Sequence, residues 1–237
     1  MGRVGSGELT STNGTVVWDG IGVLRLRYDG TRAGLDALTS SLWTRLGERI
    51  LPVEALQSVE VGAAGLKLIL RDGADPLQSV TGGQVVMDPY DFPEVDPALA
   101  EQIARDIRST LVRRDVPATP SARWLLAPPA APDRLEGRDA ILSVANGLLT
   151  FDYKRSAGRK KKSLGERWSV PLGEIVDVEW TPNQGRFNTR GFLRVATAGT
   201  PVERPKPKHD PAAMLIPGGA DVDALFFAAR LLTRIRP

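Results

Sequence analysis

Two stretches of the chain carry one phrase: LGERILPVEALQSVEV from Leu46 to Val61, and LGERWSVPLGEIVDVEW from Leu164 to Trp180. Leu46 and Leu164 lie 118 residues apart and Pro52 and Pro171 lie 119 apart, so the two versions keep register with a single inserted residue. The match runs on. GLKLILRDGADP from Gly65 aligns with GFLRVATAGTP from Gly191, and each copy closes on a helical pattern, DPALAEQIARDIRSTLVRR and DVDALFFAARLLTRIRP. Two copies are too few for a stacked repeat array, which needs three or more units. Tandem domains are expected instead, a first over 1–114 and a second over 135–237, joined by a linker over 115–134.

Each copy opens on a hairpin. TVVWDGIGVLRLRY reads as a strand, an Asp19-Gly20 turn and an alternating strand in which Arg25 and Arg27 separate Leu24, Leu26 and Tyr28. AILSVANGLLTFDY repeats this with Asn146-Gly147, a turn pair that tolerates positive φ. Short apolar segments follow in both copies: RIL and QSVEV against RWSV and IVDVEW, LKLIL against FLRVAT, and QVVM against AMLI. Asp96 and Pro97 supply a cap and a first-turn proline to a helix with Leu99, Ile103, Ile107 and Leu111 along one face. Asp221 starts the second helix, with Leu225, Phe226, Ala229 and Leu232 inward and Arg230, Arg234 and Arg236 toward water.

A mostly antiparallel sheet followed by one amphipathic helix is an α+β, mainly β, pattern. It fits two tandem pleckstrin-homology-like barrels, each a curved sheet closed by its C-terminal helix, and it fits other small sheet-plus-helix folds as well. LRDGADPL at Leu70–Leu77, TGG at Thr81–Gly83, DPY at Asp88–Tyr90, PLGEIVDVEW at Pro171–Trp180 and HDP at His209–Pro211 together resemble the actinobacterial domain-of-unknown-function family DUF4429. The resemblance covers nearly the whole chain. It implies a tandem pleckstrin-homology-like module and brings no catalytic or binding residues with it.

The linker DVPATPSARWLLAPPAAPDR is proline-rich, hence semi-rigid and extended. Trp124, Leu125 and Leu126 in its middle would be costly in water, so they are expected to dock on a domain surface or on a partner.

With 237 residues, no cysteine and no apolar run of the roughly 18–20 residues that a membrane span needs, the composition is that of an ordinary globular protein. MGRVGSGELTSTNG has no apolar core for a signal peptide, and the expected location is the cytoplasm, with the inner membrane surface as the place for any peripheral contact. His209 is the only histidine, and Asp210 beside it in sequence does not make a dyad in space. The acidic run DPYDFPEVDP lacks the glycine-punctuated loop of a calcium site and reads as solvated loop. TGGQ and PGGA have neither P-loop nor dinucleotide spacing. Trp168 and Trp180 fall within strands, where packing explains them. The expectation is a protein that is not an enzyme and needs no cofactor or metal.

Charge is what remains. Residues 1–118 hold twelve Lys and Arg against sixteen Asp and Glu, net −4, while residues 119–237 hold nineteen against twelve, net +7. Most of the excess is in KRSAGRKKKS, where Lys154, Arg155, Arg159, Lys160, Lys161 and Lys162 form a candidate anion-binding loop. A protein-interaction adaptor is the leading expectation, peripheral binding to anionic lipid through that loop the next, and nucleic acid a third. The opposite charges of the halves also allow a homo-oligomer.

Overall fold

The computed structural model describes residues 7–82, 84, 88–163, 165–183, 190–201 and 203–236. The chain divides into two compact units. The first contains β1 (Gly7–Ser11), β2 (Gly14–Trp18), β3 (Val23–Tyr28), α1 (Ala37–Leu46), β4 (Glu48–Pro52), β5 (Leu56–Gly62), β6 (Gly65–Leu70), β7 (Asp91–Pro93) and α3 (Pro97–Arg113). The second contains α2 (Pro76–Thr81), β8 (Arg134–Glu136), β9 (Ala140–Ala145), β10 (Leu148–Tyr153), α4 (Arg159–Lys162), β11 (Arg167–Pro171), β12 (Ile175–Thr181), β13 (Phe192–Thr197), β14 (Ala213–Leu215) and α5 (Asp221–Ile235).

Both units have the same plan. A four-stranded sheet in the order β1-β2-β3-β4, or β8-β9-β10-β11, is followed by a three-stranded sheet, β5-β6-β7 or β12-β13-β14, and then by the long helix. All described pairings are antiparallel, and no described sheet closes on itself. The repeated proline does one job twice. Pro52 and Pro171 each precede a single 3-10 turn, Val53–Ala55 and Leu172–Glu174, that turns the chain from the first sheet into the second. The next strands even share a bulge, between Leu56 and Ser58 in one unit and between Ile175 and Asp177 in the other. Asn146 and Gly147 both take positive φ, 51° and 75°, as the second hairpin requires.

The helices close the cores. Asp96 accepts the Leu99 amide as a cap, and Ile103 and Ile107 are fully buried among Leu24, Leu26, Val59 and Leu66, with Leu99 and Leu111 packed at the edge. On α5 the buried face is Val222, Leu225, Phe226 and Ala229, and Leu231 is buried where Leu232 was expected. Arg230 and Arg234 do not simply face water, because both pair with Asp133.

Two features depart from the sequence reading, and the strap between the repeats is assigned to one unit. QVVM falls largely outside the described residues, and the described strand that pairs with β6 is Asp91–Pro93, inside the acidic run that read as loop. Tyr90 and Phe92 in that run are buried, so the run is half core. The strap after α3 belongs to the first unit as far as Ala127. Its Ser121 amide bonds Asp72 O, its Leu125 and Leu126 amides bond Ala74 O, and Leu126 joins the core cluster. Finally, Pro76–Gln84 from the first repeat belongs to the second unit. There α2 buries Pro76, Leu77, Val80 and Thr81 against α5 and β12, and Gln84 donates to Trp180 O at 3.0 Å.

Candidate functional site

The segment Lys154–Ser163 connects β10 to β11, the place that α1 occupies in the first unit. Its entry is held by backbone. Lys154 N–H bonds Asp139 O, and Ala157 N–H turns back to Lys154 O. Gly158 then starts α4, so close to Lys208 that a Cβ would lie 2.7 Å from its carbonyl oxygen.

One turn of helix cannot point four consecutive cations the same way. Arg159, Lys160 and Lys162 face outward and are exposed, but Lys161 is fully buried. Its Nζ donates to Asp139 Oδ2 at 2.7 Å and to Ala213 O at 2.7 Å, and Asp139 Oδ1 accepts the Leu215 amide at 2.9 Å. The buried pair therefore ties α4, the start of β9 and strand β14 into one piece. Lys161 is part of the second unit's core, and it is not available to an external anion.

The first unit builds the same junction with different chemistry. Asn13, just before β2 as Asp139 is just before β9, is buried, and its Nδ2 donates to Asp91 O on β7, the counterpart of β14. Asn13 O accepts the Asp29 amide as Asp139 O accepts that of Lys154. In α1 the fully buried residues are Thr39, Leu42 and Trp43, and no cation is among them. The neutral amide of Asn13 thus stands where the second unit has the carboxylate of Asp139.

Three of the remaining cations line a pocket of about 310 Å³, formed by Tyr153, Lys154, Arg155, Lys162, Gly165 and Glu166. Lys154 Nζ is held by Glu136 at 2.6 Å, which lowers the carboxyl pKa of Glu136, and Lys162 Nζ is held by Arg155 O at 2.7 Å. Tyr153 donates its hydroxyl to Pro211 O at 2.9 Å, and burial, followed by the charges of Asp210 and Asp139, holds that hydroxyl protonated well above the ordinary tyrosine range. The pocket thus offers ammonium and guanidinium groups on a braced floor, with Arg159 and Lys160 exposed on the adjacent turn. Three cations thus line the pocket beside the carboxylate of Glu166, and the Lys154 and Lys162 ammoniums are already engaged within the protein.

Other sequence candidates are placed elsewhere. Asp210 accepts the Ala212 amide and faces Arg194 at 3.5 Å, while His209 Nδ1 is buried without a hydrogen-bond partner among the described residues, so the two neighbours do not form a dyad. Among the described residues no group of three or more His, Cys, Asp or Glu side chains could hold a metal ion, and no helix is long and apolar enough to cross a membrane. Trp18, Trp43 and Trp180 are fully buried, and Trp168 is half-buried against Phe151.

Residues 16–108 and 147–232 each match the family described as Domain of unknown function (DUF4429), one match in each half of the chain. No curated protein and no solved structure matches it.

Proposed function

The chain belongs to the DUF4429 family, and we propose that it is a non-catalytic binding module of two pleckstrin-homology-like units, the second of which holds an anionic group in its basic pocket. The barrel reading is supported by the shared order of four strands, three strands and a closing helix. The anion reading rests on one observation, the pocket lined by Lys154, Arg155 and Lys162 with Arg159 and Lys160 exposed beside it. The ligand is the phosphate-bearing surface of an anionic membrane, contacted peripherally from the cytoplasmic side. Each cation near such a surface contributes about a fivefold gain in binding.

Co-sedimentation with phosphatidylserine-containing vesicles tests this. Replacing Arg155, Arg159, Lys160 and Lys162 by glutamate, and leaving Lys161 in place, abolishes binding with the melting temperature unchanged. Wild-type binding weakens steeply as salt shortens the Debye length below about 10 Å. A short DNA duplex offered at equal phosphate concentration separates the lipid reading from a nucleic-acid one. Failure of the wild-type protein to bind vesicles at low salt overturns the proposal.

A scaffold for protein partners is the second reading, favoured by the opposite net charge of the two halves, −4 and +7. Complementary fields steer association and allow one copy to meet another through unlike halves. Size-exclusion chromatography across a salt series checks it, with a larger species at low salt and a monomer at high salt expected.

A further inference from the structure

The two three-stranded sheets correspond residue by residue. Val61 lies opposite Leu66 in the β5–β6 ladder, and Trp180 lies opposite Leu193 in the β12–β13 ladder, each five residues beyond the first residue of the shared bulge. Val61 and Trp180 are therefore the same position. Both point inward, yet Trp180 is fully buried while Val61 is only half-buried. In the second unit the indole of Trp180 packs beneath the start of α5 and its Nε1 donates to the carbonyl of Asp221, the first residue of that helix, at 3.1 Å.

In the first unit this space is open. A cleft of about 360 Å³ lies between the end of β5 and the start of α3, lined by Val61, Gly62, Ala63, Gly65, Val95 and Pro97, with Glu94 and Glu101 at the rim. Pro97 is the first residue of α3, as Asp221 is of α5. The facing pair Gly62 and Gly65 adds no side chain to the wall, and a Cβ on Gly65 would collide with Phe92 O at 2.2 Å. The volume is in the range of small-ligand pockets. Both rim carboxylates already have an arginine nearby, Glu101 with Arg108 at 3.1 Å and Glu94 with Arg32 at 3.9 Å. The selectivity of the cleft is therefore chiefly one of shape.

We infer that the cleft between β5 and α3 of the first unit is a binding site for an indole-type ring, which enters the space that Trp180 fills in the second unit and donates its N–H to Pro97 O. The ring lies against Val61 and Val95 with the glycine backbone as one face. An aromatic ring stacks on such a surface through apolar area, and the N–H fixes its orientation. The source is either a free indole compound or a tryptophan side chain on a partner.

The test is titration of the ¹⁵N-labelled full chain with indole, with 1-methylindole and with acetyl-Gly-Trp-Gly-amide. Indole is expected to give saturable shifts at the amides of Val61, Gly62 and Glu101. Loss of the N–H donor in 1-methylindole weakens binding by about three- to tenfold. Val61→Trp supplies the ring from within, so it abolishes the indole shifts and raises the melting temperature of the first unit. Val61→Phe, a smaller change, abolishes them too and serves if Val61→Trp does not fold. Tighter binding of the peptide than of indole assigns the site to a tryptophan of a partner, and the reverse order assigns it to a small molecule. Absence of saturable shifts with both indole and the peptide, or undiminished shifts in the folded Val61 variants, overturns the inference.

Discussion

Arg49 points into the core of the first unit and Arg167 points out of the second, although both stand at the start of a fourth strand. Arg49 is 7% exposed and donates to both oxygens of Asp75, at 3.0 and 2.8 Å, to the Tyr90 hydroxyl at 2.8 Å and to Ala127 O at 3.1 Å. The Tyr90 hydroxyl in turn donates to Asp75 Oδ2. Arg167 pairs across the strands with Asp152, at the ladder position where Glu48 meets Arg27 in the first unit, so the exposed pair is kept with its signs exchanged.

These two arginines separate in a stability measurement. Truncating one partner of a buried ion pair leaves an uncompensated charge and costs about 3–5 kcal/mol. Arg49→Ala is therefore expected to lower the melting temperature of the first unit by on the order of 10 °C or more. Arg167→Ala leaves the melting temperature unchanged, because an exposed pair is screened by solvent. Differential scanning calorimetry of both variants checks this, and a similar effect for the two would contradict the opposite placement.

The phrase LGER is shared letter for letter, and it misleads by one residue. Ladder register makes Glu48 the counterpart of Arg167 and Arg49 the counterpart of Trp168, so the inserted residue falls before the strand and reverses which face the arginine takes. The strands that alternate, the Asn146-Gly147 turn and the Asp96 cap were legible because their signals are local. The place of α2 in the second unit was not, since PLQSVT has no feature that names its neighbour. Nor did four consecutive cations reveal that Lys161 alone turns inward. Its partner Asp139 lies 22 residues earlier, and only the helical turn that forms between β10 and β11 selects it. The cleft beside Val61 was hidden in the repeat itself, in the exchange of Trp180 for Val61 at one position of VEV and VEW.

The Lys161–Asp139 pair gives a second prediction. Both groups are almost completely buried, and Asp139 also holds the Leu215 amide. Asp139→Ala strands an ammonium in the core and is expected to destabilise the second unit by about 3–5 kcal/mol. Lys161→Glu is expected to be worse, since it places two carboxylates together. Urea unfolding followed by the fluorescence of Trp168 and Trp180, in a background with the other tryptophans replaced by phenylalanine, isolates that unit.

The strap over 115–127 is a stabilising element of the first unit. Leu126 is 3% exposed within the core cluster, so Leu126→Ala removes buried methyl groups and leaves a cavity, at a cost of about 2–5 kcal/mol. Trp124 is half-buried, and its truncation is expected to cost less. Limited proteolysis gives a second reading of the same contact: cleavage after Arg123 is slow in the native protein and accelerated by Leu126→Ala. Rapid cleavage of the unaltered chain there would mean that the strap opens independently of the unit.

Alkaline pH gives the last prediction. The Tyr28 and Tyr90 hydroxyls are buried in the first unit, and burial raises both pKa values well above the ordinary tyrosine value near 10, with Arg49 acting in the opposite direction. In the unfolded chain both phenols ionise near pH 10, while in the folded unit they stay protonated. Above that pH the unfolded state holds fewer protons than the folded state, so the stability of the unit falls as pH rises, and below it these two groups give no pH dependence. The two hydroxyls differ in a way that can be exploited. Tyr90 donates to Asp75, but the buried Tyr28 hydroxyl has no hydrogen-bond partner among the described residues, so Tyr28→Phe removes an unsatisfied polar group and is expected to leave stability at pH 8 unchanged or improved. It also removes one of the two ionisations. The urea midpoint of the first unit should fall between pH 9 and pH 11 in the wild type and fall less steeply in Tyr28→Phe. Parallel pH profiles for the two proteins would show that the Tyr28 phenol ionises as readily folded as unfolded, against its placement beneath Trp43 at a ring separation of 6.4 Å.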